Sequence, residues 1–73
     1  MKNRKEMKEN LLHIYSDLTA LHESLKGNAD YVIREETKKE NPDYFLISVE
    51  THNVGLVDSA IQETNNTIEL LRK

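Results

Sequence analysis

The sequence predicts an all-α fold, a small helical bundle of two long antiparallel helices with one short helix between them. Three observations carry this. From Met7 to Leu25, apolar residues recur at spacings of 4, 3, 4, 3 and 4. In the C-terminal half, Ile47, Val54, Ile61 and Ile68 recur every seven residues. Between these runs, Gly27-Asn28 and Asn41-Pro42-Asp43 punctuate the chain as helix ends do.

The first helix is expected over about residues 2–26. Its seam is Met7, Leu11, Ile14, Leu18, Leu21 and Leu25. Alternate steps of three and four bring such residues onto the face that packs against another helix, and a strand cannot produce that period. Leu12 and Tyr15 widen the apolar face beyond a two-stranded seam. Lys26 places a cation in the last turn, and Gly27 supplies the residue type that most often closes a helix.

The short helix is expected over about residues 29–40, with Asn28 as N-cap and Asp30 in the first turn. Ala29, Val32 and Ile33 share one face, and Glu35 with Lys39 forms an i,i+4 pair.

The long helix is expected over about residues 42–72. Asn41 would cap it, Pro42 would take its first position, and Asp43 would complement the dipole. Its seam is Val54, Val57, Ile61, Thr64, Ile68 and Leu71, with Ile47 in the same phase. Gly55, which costs about 1 kcal/mol in a helix interior, and the weak helix formers Thr51, His52 and Asn53 mark the place for a kink. Thr64 is a polar seam position of the kind that sets register.

The competing reading is α+β, a helix–β-hairpin–helix. Tyr31–Thr37 and Tyr44–Thr51 are rich in aromatic and β-branched residues, and Lys38–Asp43 would be the turn between two strands. An isolated two-stranded ribbon is weak in water, so that fold would need a dimer.

The chain has 73 residues and no cysteine. One domain of this size buries only about 60% of its unfolded surface and leans on extra support. Disulfides and thiolate metal sites are excluded. No stretch approaches the roughly 18 apolar residues of a membrane span, and the basic start lacks the apolar core of a signal peptide. A cytoplasmic protein without membrane contact is expected.

Net charge is −3. It is spread as +1 over residues 1–28, −3 over 29–50 and −1 over 51–73. An acidic chain with few aromatics makes a nucleic-acid partner unlikely.

Chemistry is sparse. Gly27 and Gly55 are the only glycines, so there is no phosphate loop. Ser16, Ser24, Ser48 and Ser59 sit in no nucleophile elbow. Among the histidines, His13 alone has an acidic i,i+4 partner, Asp17, while His22 and His52 are read as outer residues. The acidic run Glu35, Glu36, Glu40, Asp43 and Glu50 lies in the most polar part of the chain, whereas a catalytic carboxylate needs burial to be tuned for acid–base work. No catalytic, cofactor or metal residue is assigned, and no enzyme is expected.

The functional expectation is a small protein-binding, regulatory or assembly protein. It would act as a homodimer, through an apolar helix face, on a protein partner. The interface would use Tyr15, Tyr44, Phe45, Leu46 and Leu56. A Lys-, Asn-, Glu- and Ile-rich composition at this size is that of small bacterial or phage accessory proteins. The alternative is a small dimeric DNA-binding regulator, which would touch phosphate through Lys2, Arg4, Lys5 and Lys8.

Overall fold

The structure, a computed structural model, describes residues 3–72. It is a helical hairpin. α1 spans Arg4–Thr37 and α2 spans Tyr44–Leu71, and they pack along their length. The body measures 56 × 16 × 15 Å, and its radius of gyration is 16.6 Å. A compact domain of this length would have roughly 11 Å, so the hairpin is a rod with little interior. No strand occurs among the described residues, which removes the helix–β-hairpin–helix alternative.

The separate short helix is not present. α1 runs without a break through Lys26, Gly27 and Asn28, and residues 29–37 are its last turns. Gly27 has no positive φ, so the expected closing residue is an ordinary helical one. The reason lies in the packing. Leu11, Leu18, Leu25 and Val32 repeat at intervals of seven, and Tyr15, His22, Ala29 and Glu36 repeat beside them. Both rows cross Gly27 in phase, so continuing the helix keeps Ala29 and Val32 against α2. That burial outweighs the roughly 1 kcal/mol that glycine costs in a helix. Asn28, expected as a cap, instead donates its Nδ2 hydrogen to Glu50 Oε2 on α2 at 2.9 Å.

At the N-terminus, Asn3 is the cap, and its side chain accepts from the Glu6 backbone N–H at 2.9 Å. Lys2, where the helix was expected to begin, lies outside the described residues. α2 also begins later than expected. Asp43 is the cap, with φ −84° and ψ 89°, and its carboxylate accepts from the Leu46 N–H at 3.0 Å. The residue before a proline avoids the helical region, so Asn41 stays in the connection and Pro42 precedes the cap. α2 then continues through Thr51–Gly55.

Glu36 closes the connection. It is 6% exposed. Its Oε1 accepts from the Asp43 N–H at 2.9 Å, and its Oε2 pairs with Lys39 Nζ. The i,i+4 pair expected between Glu35 and Lys39 is replaced by two i,i+3 pairs, Glu35 with Lys38 at 3.5 Å and Glu36 with Lys39. Lys39 is drawn toward the turn because Glu36 is the buried carboxylate there. The hydrogen bond from Lys39, then that from the Asp43 N–H, holds the Glu36 carboxyl below its usual range; Glu36 in turn raises the Lys39 ammonium.

Three contacts fix the antiparallel register. Asn28 meets Glu50, His22 Nε2 lies 4.0 Å from Asp58 Oδ1, and Glu36 meets Asp43. The paired numbers add to 78, 80 and 79. On this register Leu11 is level with Ile68, Leu18 with Ile61, Leu25 with Val54, and Val32 with Ile47. Every one of these eight is half-buried or buried. The layers between them are more polar, with Tyr15 level with Thr64, His22 with Val57, and Ala29 with Glu50. Ala29 and Ile68 are the only fully buried apolar residues among those described.

Candidate functional site

The site is a surface rather than a cavity. On either side of the seam a helix presents a flank, and heptad geometry assigns each residue to one of the two. On the first flank, α1 places Met7, Ile14, Leu21 and Asn28, with Asn10, Asp17, Ser24 and Tyr31 one row further out. α2 adds Leu46, Asn53, Ala60 and Thr67, and then Val49, Leu56, Glu63 and Leu70. The Asn28–Glu50 hydrogen bond crosses the seam on this side, and His22–Asp58 crosses on the other.

Ten large apolar side chains are exposed among the described residues. Seven of them lie on the first flank: Ile14, Leu21, Tyr31, Leu46, Val49, Leu56 and Leu70. The second flank holds Leu12 and Tyr44, among Lys5, Thr19, Lys26, Thr51, Asp58, Asn65 and Arg72. The hairpin is thus amphipathic a second time, after its seam has been used. The first-flank rows carry no lysine or arginine within either helix, and their acidic residues are Asp17, Glu35 and Glu63.

The expected seam residues divide along this line. Leu11, Leu18, Leu25 and Met7 are half-buried, as are Val54, Val57, Ile61, Thr64 and Leu71, while Ile68 is 2% exposed. Ile14 and Leu21 stand outside the seam at 46% and 47% exposure. Tyr15 and His22 take the inward positions instead. Both choices fit a 3–4 spacing between the shared leucines, so the heptad alone does not decide between them. Ala29 and Glu36 decide it: only the row through Tyr15 and His22 extends to the turn.

The expected interface divides as well. Tyr15 turns into the seam and is half-buried. Leu46 and Leu56 lie on the first flank. Tyr44 and Phe45 are exposed at the start of α2, Phe45 at 80% on the back of the helix. Ile14, Leu21, Tyr31, Val49 and Leu70 belong to the first flank and were not in the expected set. The helical period of α2 placed Val49, Leu56 and Leu70 on one line, and that signal could have found them.

Other candidate chemistry is dispersed. No group of three or more His, Cys, Asp or Glu residues that could hold a metal occurs among the described residues. His13 and His52 are exposed. Arg4, Lys5, Lys8, Glu9, Leu12 and Leu71 line a groove at the open end of the hairpin. No helix is long and apolar enough to cross a membrane among the described residues. The chain matches no family model, no curated protein and no solved structure.

Proposed function

We propose that this chain is a non-enzymatic protein-binding module that docks helices on its first flank and pairs with itself as a homodimer. The observation that carries the reading is the one-sided distribution of exposed apolar residues, seven of ten on a single flank. Scattered exposed apolar residues are ordinary, but a contiguous patch marks an interaction surface. The hairpin also gains from cover, because its own interior holds only two fully buried apolar residues among those described. A chain this small usually draws stability from association.

The mode is helix packing in a groove. Ile14 and Leu21 on α1 and Ala60 and Leu56 on α2 share the first flank over one stretch of the rod, and an amphipathic helix would pack there by its apolar face. A protein partner and a second copy would compete for the same flank, which would make assembly and regulation two states of one surface.

Sedimentation equilibrium of the purified chain, with and without the paired substitution Leu21→Glu and Leu56→Glu, tests this. The expected result is a concentration-dependent dimer that the substitutions convert to a monomer with unchanged helical circular dichroism. A wild-type chain that stays monomeric at every concentration overturns the homodimer. A dimer indifferent to the two substitutions places the interaction elsewhere and overturns the surface.

A further inference from the structure

We infer that the second copy lies antiparallel to the first, with the two-fold axis crossing the rod near its middle, so that two first flanks form a four-helix core. This rests on the self-association proposed above and specifies its geometry.

Area permits it. A side 56 Å long and 16 Å wide covers about 900 Å², against the roughly 800 Å² per partner of a standard stable interface. The apolar residues extend along nearly the whole side. Leu70 and Met7 lie near the open end, Ile14, Leu21 and Leu56 near the middle, and Leu46, Val49 and Tyr31 near the turn. Full-length overlap of two copies therefore buries all of them, whichever way the second copy points.

Charge decides the direction. Asp17 and Glu63 are level with each other on the first flank, since their numbers add to 80. A parallel copy would bring two more carboxylates to that level and gather four in one layer, with no lysine or arginine in the flank rows to offset them. Like charges juxtaposed across an interface oppose the pairing. An antiparallel copy moves its own Asp17 and Glu63 several residues along the rod. The layer opposite then holds Ser24, Asn53 and Leu56, none of them charged.

The ends agree. Around the open end, Arg4, Lys5, Lys8 and Arg72 outnumber Glu6, Glu9 and Glu69, for +1. Residues 28–50 at the turn carry Arg34, Lys38 and Lys39 against Asp30, Glu35, Glu36, Glu40, Asp43 and Glu50, for −3. Antiparallel pairing sets the basic end of each copy beside the acidic end of the other. Parallel pairing sets the two acidic ends together.

The chain has no cysteine, so one substitution gives one spin label per copy for pulsed dipolar spectroscopy. Arg34→Cys and His13→Cys both put the label on the back of α1, away from the first flank. With the two-fold near residue 20 or 21, the labels at 34 are offset by about 27 residues, or about 40 Å, along the rod. Those at 13 are offset by about 15 residues, or about 22 Å. The expected result is a longer distance for the Arg34→Cys dimer than for the His13→Cys dimer. Equal distances of roughly 20–25 Å, set by the bundle width alone, overturn the antiparallel arrangement and leave the dimer standing. Absence of any dipolar signal, with a monomer mass, overturns the dimer itself.

Discussion

Replacing both glycines by alanine is expected to stabilise the hairpin. Gly27 and Gly55 lie inside α1 and α2, and neither has a positive φ. A Cβ built at either position meets nothing within 4 Å. Alanine therefore fits the native backbone at both sites without displacing a neighbour. Glycine in a helix interior is less stable than alanine by about 0.5–1 kcal/mol, because the unfolded chain has more freedom to lose. The two sites share no partner, so the gains add. The double variant should gain about 1–2 kcal/mol, which in a domain of this size raises Tm by roughly 4–16 °C. Thermal melts followed at 222 nm by circular dichroism measure it, at fixed protein concentration because association also shifts Tm. Gly27 makes the test sharp. If α1 closed there and a second helix began at Asn28, Gly27 would occupy the left-handed region and alanine would be strained. A fall in Tm for Gly27→Ala alone would refute the continuous helix, and the register with it.

Three further outcomes follow from the packing. Ile68→Ala removes the most deeply buried apolar side chain, and a fully buried Ile→Ala change costs about 2–5 kcal/mol; the variant should lose most of its helical signal at 25 °C in dilute solution, and a melt within 2–3 °C of wild type would contradict the seam. Glu36→Gln removes the carboxylate that ties Lys39 and the Asp43 N–H to the turn, so the variant should melt lower at neutral pH. The Glu36 carboxyl is held low in the folded chain, so its contribution is present above the unfolded carboxylate range and disappears as pH falls through the folded value; the gap between wild type and Glu36→Gln should therefore close in acid, and a gap that persists there would assign the effect to shape rather than charge. Fluorescence anisotropy with duplex DNA at about 0.15 M salt should detect no binding, while binding abolished by charge reversal at Arg4, Lys5 and Lys8 would favour the DNA-binding alternative over a protein-docking surface.

Much of this fold was legible, because heptad spacing reports helix packing directly. The rows through Leu11, Leu18 and Leu25 and through Val54, Ile61 and Ile68 are visible in the letters. The strand-like look of Tyr44–Val49 misleads because β propensity mostly measures fit to a half-buried surface; Ile47, in the seam, finds such a surface on a helix. The break at Gly27 misleads for a related reason. A local stop signal worth about 1 kcal/mol competes with a stripe that runs nine residues past it, to Glu36, and local rules weigh only the first. The inward turn of Tyr15 and His22 was hidden more deeply. A reading that places the largest apolar residues inside picks Ile14 and Leu21, and only the position of Glu36 at the turn reveals that the more polar row is the inner one.

That inversion bears on the proposed function. A hairpin built for solitary stability would turn Ile14 and Leu21 into the seam and leave Tyr15 and His22 to solvent. Here the seam takes a tyrosine, a histidine, an alanine and a glutamate, and the isoleucine and leucine stay outside. The polar inner row has a use of its own: polar seam residues restrict register at some cost in stability. Sliding α2 by one turn would separate Glu36 from the Asp43 N–H and Asn28 from Glu50, each of which then needs a new partner. The seam thus specifies one alignment of the two helices, and that alignment brings Ile14, Leu21, Ala60 and Leu56 to the same stretch of the rod. Precision inside and greasiness outside are coupled, since Ile14 and Leu21 lie level with Ala60 and Leu56 in the register that the inner row selects.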